Sequence, residues 1–281
     1  MTPAARLQAA IDVLSEIDSS ANPADRILRA YFRKRRYAGS RDRRAVGDQV
    51  YRILRRRGVL DFALDGAGDA RSRALLDAAE SGDLQDVADM LAAGGQYGPA
   101  ALSDTEQDVL ARALERLAGG DFPDWAEASI PSWLADYLKS ALGDDWRYQL
   151  PEPDQRASVD LRVNSACSNR DKVLSRLRAD GIEAEPFGWT ENTIRVAGNP
   201  DLSSHAAYRD GWFEIQDAGS QLVAALVDAR PGMTVADVCA GAGGKTLALA
   251  DQMAGKGTLH ALDIGKVRLD QLEKRARRAG V

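Results

Sequence analysis

The stretch Asp237-Val-Cys-Ala-Gly-Ala-Gly-Gly-Lys-Thr246 is a glycine-rich turn that follows a short apolar run. The run at Thr234–Val238 predicts a buried strand, and the residues from Gly244 to about Met253 predict a helix. A further strand is predicted at Thr258–Leu262, and Asp263 follows it directly. The order strand, glycine turn, helix, strand and acid is typical of half of a mononucleotide-binding unit. It predicts the start of a Rossmann-like α/β domain.

The turn fits neither of two well-known phosphate-binding loops. A P-loop has a glycine at the fifth position before its Gly-Lys-Thr ending, which here is position 239, and the chain has Cys239 there. A dinucleotide loop has a third glycine at position 246, which is Thr246. A helix packed closely on a strand without any ligand is a further alternative for Gly-x-Gly. A triphosphate site is therefore a weaker interpretation, but it remains an alternative.

Asp263 favours a cofactor that has a ribose and no pyrophosphate. It lies 22 residues after Gly241, at the end of the next predicted strand. A carboxylate there can accept hydrogen bonds from both ribose hydroxyls, each contributing roughly 1.5–3 kcal/mol. Such a cofactor needs a tight turn and an acid but no third glycine. This pattern indicates S-adenosyl-L-methionine.

The first 142 residues have helical periodicity throughout and predict an all-α bundle. Within it, residues 26–57 carry twelve Arg and one Lys against two Asp, a local net charge of +11, whereas the whole chain has −5. Arginine presents a planar fork that pairs with phosphate and stacks on bases. The local excess therefore predicts a phosphate-binding surface, with solvated arginine-rich helices as the alternative.

Residues 143–157 contain two prolines and no periodicity, which predicts a linker. Beyond it, short alternating or apolar segments predict strands at Val159–Val163, near 183–187, near 193–197 and at Trp212–Gln216. The chain is thus predicted to be a multidomain α and α/β protein. The predicted domains are the helical bundle at 1–142, a linker with a small α/β module at 143–210, and the Rossmann-like start at 211–281.

The composition is that of a globular protein, with 44% hydrophobic and 28% charged residues. It contains no apolar run of about 18 residues that could cross a membrane, and its amphipathic N-terminus is unlike a secretory signal. The two cysteines have neither disulfide nor zinc-ligand spacing. We expect a cytoplasmic monomer without a membrane or metal partner.

Several motifs together resemble one family. The segment Gly211-Trp-Phe-Glu-Ile-Gln-Asp-Ala-Gly-Ser-Gln-Leu222, followed by Pro231-Gly232 and the glycine turn, is similar to RNA (cytosine-5)-methyltransferases of the RsmB/NOP/Sun type. That family usually has Cys-Ala-Ala-Pro-Gly-Gly-Lys-Thr, and here Gly241 and Ala242 replace Ala-Pro. Two earlier regions extend the resemblance. Gly39–Arg43 with Val50–Arg52 resembles the family's NusB-like RNA-binding domain, and Ser129–Leu134 with Asp160–Asn164 resembles the segment leading into its small RRM-like module.

The resemblance implies methylation of C5 of cytosine in RNA, expected to be ribosomal RNA, with S-adenosyl-L-methionine as cofactor. It implies that Asp263 holds the ribose and that Lys245 lies near the cofactor carboxylate or RNA phosphate, unless Lys245 only faces solvent. The implied cofactor-binding residues are Cys239, Ala240, Gly241, Ala242, Gly243, Gly244, Lys245 and Asp263. The predicted RNA contacts are Arg33, Arg36, Arg41, Arg44, Arg52 and Arg56.

No catalytic residue is predicted within the chain. The family attacks C6 of cytosine with the cysteine of a Thr-Cys-Ser motif and releases product with that of an Asp-Ala-Pro-Cys motif, and neither motif occurs here. Cys239 belongs to the cofactor turn and Cys167 to a predicted loop. We expect the nucleophile beyond Val281, in a protein truncated before its catalytic motifs. We therefore expect no methyl transfer and weak cofactor binding by these residues alone. The alternative is a non-catalytic RNA-binding fragment.

Overall fold

The computed structural model describes residues 1–66, 68–150, 157–198 and 200–281. The chain forms two compact units, Met1–Arg156 and Ala157–Val281. The predicted linker at 143–157 lies partly outside the described residues. Its first part is not irregular as predicted, because Asp144–Gln149 forms a 3₁₀ helix with Trp146 buried.

The first unit is helical, as its periodicity predicts. Its described helices are α1 Pro3–Ser19, α2 Ala24–Lys34, α3 Ser40–Arg55, α4 Arg57–Ala63, α5 Ala70–Glu80, α6 Leu84–Ala92, α7 Asp104–Gly119, α8 Asp124–Glu127 and α9 Ser132–Leu142. A short 3₁₀ helix covers Gly95–Tyr97. A capping box is present at the start of α7, where Ser103 and Glu106 bond each other's backbone N–H groups. The core contains fully buried side chains from several helices, including Val13, Val46 and Leu76.

The second unit begins with a four-stranded antiparallel sheet. Its elements are β1 Val159–Val163, α10 Arg170–Ala179, β2 Ala184–Pro186, β3 Thr193–Val196, α11 Ala206–Arg209 and β4 Phe213–Ile215. The sheet order is β2-β3-β1-β4. The βαββαβ order with β1 and β3 in the centre is the ferredoxin-like arrangement, which agrees with the predicted RRM-like module.

Strand β4 joins a different sheet from the one that the sequence predicts. Trp212–Gln216 is predicted as the first strand of the Rossmann-like region, yet β4 pairs antiparallel with β1, with Val163 opposite Phe213. The Phe213 side chain is fully buried in the core of the small module. Without β4, one edge of β1 would have unpaired backbone groups, so β4 completes this sheet.

The predicted Rossmann-like start follows. Its elements are α12 Ala218–Ala225, β5 Thr234–Asp237, α13 Gly244–Gln252, β6 Thr258–Ala261 and α14 Lys266–Ala279. Strands β5 and β6 pair in parallel. Val235 and Leu259 pack against Leu249 and Met253. The side chains that alternate with them are exposed: Thr234, Ala236, Thr258 and His260. One face of this sheet is therefore covered, and the other is not.

None of the helices within the described ranges is long and apolar enough to cross a membrane. The described residues also contain no group of three or more His, Cys, Asp or Glu side chains arranged to hold a metal ion.

Candidate cofactor site and basic surface

Two glycines shape the turn between β5 and α13. Gly241 has φ +54° and Gly243 has φ +87°, both in the left-handed region that side chains with a Cβ rarely adopt. Gly243 also lies against α14, since a Cβ there would be 2.6 Å from Leu272 Cγ. Glycine at position 243 is therefore required by its conformation and by the packing of α14. The pair allows the chain to reverse tightly between strand and helix.

Asp263 holds this turn from the end of β6. Its Oδ2 accepts a hydrogen bond from the backbone N–H of Gly241 at 2.9 Å, and its Oδ1 accepts one from Gly265 at 2.7 Å. The bond from Gly265 is the largest influence holding the pKa of Asp263 below its ordinary value, and those from Gly241 and the nearby Arg268 cation act in the same direction. Asp263 is therefore ionised at neutral pH. The acid predicted from its spacing is thus in direct contact with the turn.

A second carboxylate lies at the start of the turn. Asp237, the last residue of β5, accepts a hydrogen bond from the Thr246 hydroxyl at 2.7 Å. Asp237 and Asp263 together surround the turn with negative charge, and Asp263 already occupies the Gly241 amide. A triphosphate would meet repulsion here and would have to displace a carboxylate. The structure therefore disfavours the P-loop interpretation.

The N-terminus of α13 offers donors beside these acids. No described side chain caps this helix, so N–H groups of its first turn have no partner within the helix. A small anionic group can bind at such a helix terminus. Lys245 is in the same turn of helix and is exposed. The site thus combines hydrogen-bond acceptors on one side with donors and a cation on the other.

An ion-pair network supports the turn from α14. Arg275 donates through Nη1 to the carbonyl of Ala242 at 2.8 Å, and through Nε and Nη2 to Glu214 Oε2 at 3.0 and 2.9 Å. Arg278 also donates to Glu214. The Glu214 side chain is only 2% exposed. Through Arg275, strand β4 of the ferredoxin-like module is coupled to the glycine turn.

Sequence reasoning missed Glu214, Arg275 and Arg278. The available signal was an acid within the otherwise apolar strand Phe213–Ile215 and two arginines three residues apart on one helix. Only the fold shows that these charges meet. Asn164 has a related role, because its Nδ2 donates to the carbonyls of Gly211 and Ala279, each at 2.9 Å.

The structure brings together all eight residues predicted to bind the cofactor. Ala240 is buried at the base of the turn, Cys239 is exposed, and Gly244 and Lys245 begin α13. Cys167 lies elsewhere, next to Asn164 Nδ2 at 3.2 Å. The eight residues are therefore continuous around the glycine turn.

The arginines of the first unit divide into two groups. Arg52 donates to Asp77 at 2.7 and 2.6 Å, and Arg56 pairs with Glu80. The remaining four of the six predicted RNA contacts are exposed. Their side chains form no hydrogen bond or ion pair with a described residue, and they are Arg33, Arg36, Arg41 and Arg44. These four are free to meet a ligand, whereas Arg52 and Arg56 bind within the protein.

The fold and the turn define a Rossmann-like α/β unit joined to a ferredoxin-like module. Residues 130–203 match the ferredoxin-like domain of RsmF/B-like methyltransferases, and residues 224–281 match the family described as 16S rRNA methyltransferase RsmB/F. Over these two regions, the chain therefore matches the RsmB/F methyltransferases.

Curated relatives agree with this assignment. The chain is 32% identical over 179 residues to the probable ribosomal RNA small subunit methyltransferase B of Bacillus subtilis, covering 62% of this chain and 37% of that protein. It is 30% identical over 151 residues to ribosomal RNA small subunit methyltransferase B of Pseudomonas syringae pv. tomato, covering 54% of this chain and 34% of that protein. The match therefore spans little more than a third of either relative.

A solved structure shows the same fold. The crystal structure of PH0851 superimposes with a TM-score of 0.68 and 22% sequence identity, covering 100% of this chain and 68% of that chain.

Proposed function

We propose that this chain provides the cofactor site and part of the RNA-binding surface of an S-adenosyl-L-methionine-dependent methyltransferase that modifies C5 of cytosine in ribosomal RNA. The observation that carries the proposal is Asp263, which bonds the glycine turn from the end of the neighbouring parallel strand. The two family matches and the names of the relatives support the reaction class and the RNA substrate.

The residues of the turn fit this cofactor. A carboxylate has about four lone-pair positions, and two on Asp263 accept backbone amides, which leaves capacity for two ribose hydroxyls. The first turn of α13 can bind the cofactor carboxylate. The two acids favour a molecule with a positive sulfonium over a triphosphate. When bound, the cofactor would supply the methyl group.

RNA binding in this proposal rests on the four free arginines of the first unit. Their cations can neutralise phosphates without reading sequence, so the affinity should fall as salt is raised. The resemblance to a NusB-like domain supports the same role. The target cytosine must be unpaired or leave its stack before an enzyme can reach its ring.

The chain's own cysteines are not proposed as the nucleophile. Cys239 is part of the cofactor turn, and Cys167 lies beside Asn164 in another loop. The thiolate that attacks C6 must reach the opposite side of the base from the methyl donor.

Calorimetric titration of the chain with S-adenosyl-L-methionine and with ATP tests the cofactor assignment. We expect weak binding of S-adenosyl-L-methionine and none of ATP. In Asp263→Asn the affinity for S-adenosyl-L-methionine should fall by a further factor of roughly 10 to 150, because each charge-assisted bond contributes about 1.5–3 kcal/mol. Asp270→Asn is the matched control, since Asp270 is exposed on α14. Binding of ATP alone, or equal affinities for the two variants, would contradict the proposal.

A further inference from the structure

The helical unit contains a cavity that the cofactor site does not explain. It measures about 720 Å³ and lies beside α1, the residues following α2 and the 3₁₀ segment Gly95–Tyr97. Pockets for small organic groups usually have volumes of about 300–1,000 Å³. The cavity is therefore large enough for a nucleoside-sized ligand.

Two unpartnered aromatic rings line this cavity. Tyr37 is 72% exposed and Tyr97 is 73% exposed, and both belong to the cavity wall. Neither hydroxyl bonds to a described residue. Aromatic side chains usually bury most of their area, so two exposed rings at one cavity form a surface suited to stacking.

A third ring and a cation are already ordered in the same wall. The Arg35 guanidinium lies 3.6 Å from the centre of the Tyr31 ring. The Tyr31 hydroxyl donates to Asp12 at 2.8 Å, and Arg35 lies 3.7 Å from the same carboxylate. Asp12 is therefore already partnered by a cation and a hydroxyl. Arg35 remains 34% exposed, so it can also meet a ligand.

The charge of the segment that leads into the cavity wall indicates the type of partner. Tyr37 follows directly after the basic run Arg33-Lys34-Arg35-Arg36. Arg33 and Arg36 are exposed and form no ion pair with a described residue. Basic side chains next to exposed aromatic rings are an arrangement by which proteins bind single-stranded nucleic acid, with cations on phosphates and rings on bases. Glutamines at positions 8 and 96 add polar groups to the lining.

We propose that this cavity binds an unpaired nucleobase of the RNA, which stacks on Tyr37 while adjacent phosphates contact Arg33 and Arg36. The inference rests on the proposed function in that RNA is the partner, and it adds a base-binding site separate from the target cytosine. It also explains why the tyrosines are exposed although their helical unit has a well-packed core.

Fluorescence anisotropy with a short single-stranded oligouridylate tests this site. Stacking contributes about 1–3 kcal/mol per base, so Tyr37→Ala should weaken binding roughly 5- to 150-fold, and Tyr37→Phe should retain wild-type affinity. Tyr137→Ala is the matched control, because Tyr137 is an exposed tyrosine of the same unit outside the cavity. An abasic oligomer of equal length should bind Tyr37→Ala and the wild type equally.

Salt dependence separates this inference from the proposed function. Tyr37→Ala removes no charge and should leave the slope of log affinity against log salt unchanged, whereas Arg33→Ala with Arg36→Ala should reduce it by about 1.4, at about 0.7 per phosphate contact. If only the arginine variant weakens binding, the base site is refuted and RNA binding stands. If the wild type binds neither oligomer at low salt, both proposals fail.

Discussion

Replacing Gly243 by alanine tests whether packing of α14 shapes the glycine turn. At this position a Cβ would be 2.6 Å from Leu272 Cγ, 3.1 Å from Cδ1 and 3.2 Å from Cβ. The first distance is shorter than real contacts allow, and Cγ is close to the backbone, so Leu272 cannot avoid the clash by a small rotation. Alanine would also have to adopt φ +87°.

The expected loss of unfolding free energy in Gly243→Ala follows from these two effects. A left-handed backbone conformation costs a residue with a Cβ about 1–2 kcal/mol. An extra methyl group in a packed region costs typically about 1–3 kcal/mol. Gly243→Ala should therefore lower the free energy of unfolding of the second unit by roughly 2–5 kcal/mol.

The assay compares Gly243→Ala with Gly244→Ala in the full chain, using urea unfolding and amide hydrogen exchange of α13 and α14. At Gly244 the nearest atom to a Cβ is Gln216 Nε2 at 3.7 Å, an ordinary contact, and no left-handed conformation is required. Gly244→Ala should therefore be neutral or slightly stabilising, since alanine is the better helix former. Equal exchange rates in the two variants, or a Gly243→Ala variant as stable as wild type, would show that packing of α14 does not shape the turn.

Glu214→Gln should lower the unfolding free energy of the second unit by about 2–4 kcal/mol, because it leaves two arginines facing a neutral, largely buried group. The control is Glu273→Gln on α14, whose ion pair is exposed, and it should change that free energy by less than about 0.5 kcal/mol in the same urea titration. Similar losses in the two variants would contradict a stabilising role for the Glu214 ion pairs. Glu106 tests pH dependence: the Arg71 hydrogen bond is the largest influence lowering its pKa from 4.5 to about 2. Its stabilising effect should be complete above pH 4.5 and lost as pH falls towards 2. The stability difference between wild type and Glu106→Gln should therefore shrink as the pH is lowered over that interval in stepped-pH urea titrations. A difference that grows would show that the lowered pKa of Glu106 does not stabilise the fold.

Much of the fold could be predicted because its signals are local. The strand, turn and helix around Gly241 lie within twenty residues, and the alternation in Val159–Val163 marks a strand without any tertiary information. The prediction for Trp212–Gln216 was right about its conformation and wrong about its partner. A strand's pattern shows that one face is buried, but not which sheet it joins.

For the basic surface, too, the sequence did not show which side chains pair with each other. Charge counting identified the arginine excess at 26–57 but could not show which cations were free. The partners of Arg52 and Arg56 lie 25 and 24 residues further along the chain, and only folding brings α5 alongside α3. The cavity beside Tyr37 is equally invisible in the sequence, since its walls come from separate segments.

The glycine turn, the acid that follows the next strand, the helical and α/β regions and the resemblance to one methyltransferase family could all be recognised from the sequence. Those features depend on neighbours in the chain and on repeating geometry. The three-dimensional fold was needed to show that Asp263 bonds the turn, that Glu214 binds Arg275 across 61 positions, and that β4 completes the ferredoxin-like sheet. Hydrogen bonds and ion pairs depend on distances of a few ångströms, and for residues far apart in sequence those distances are set by packing.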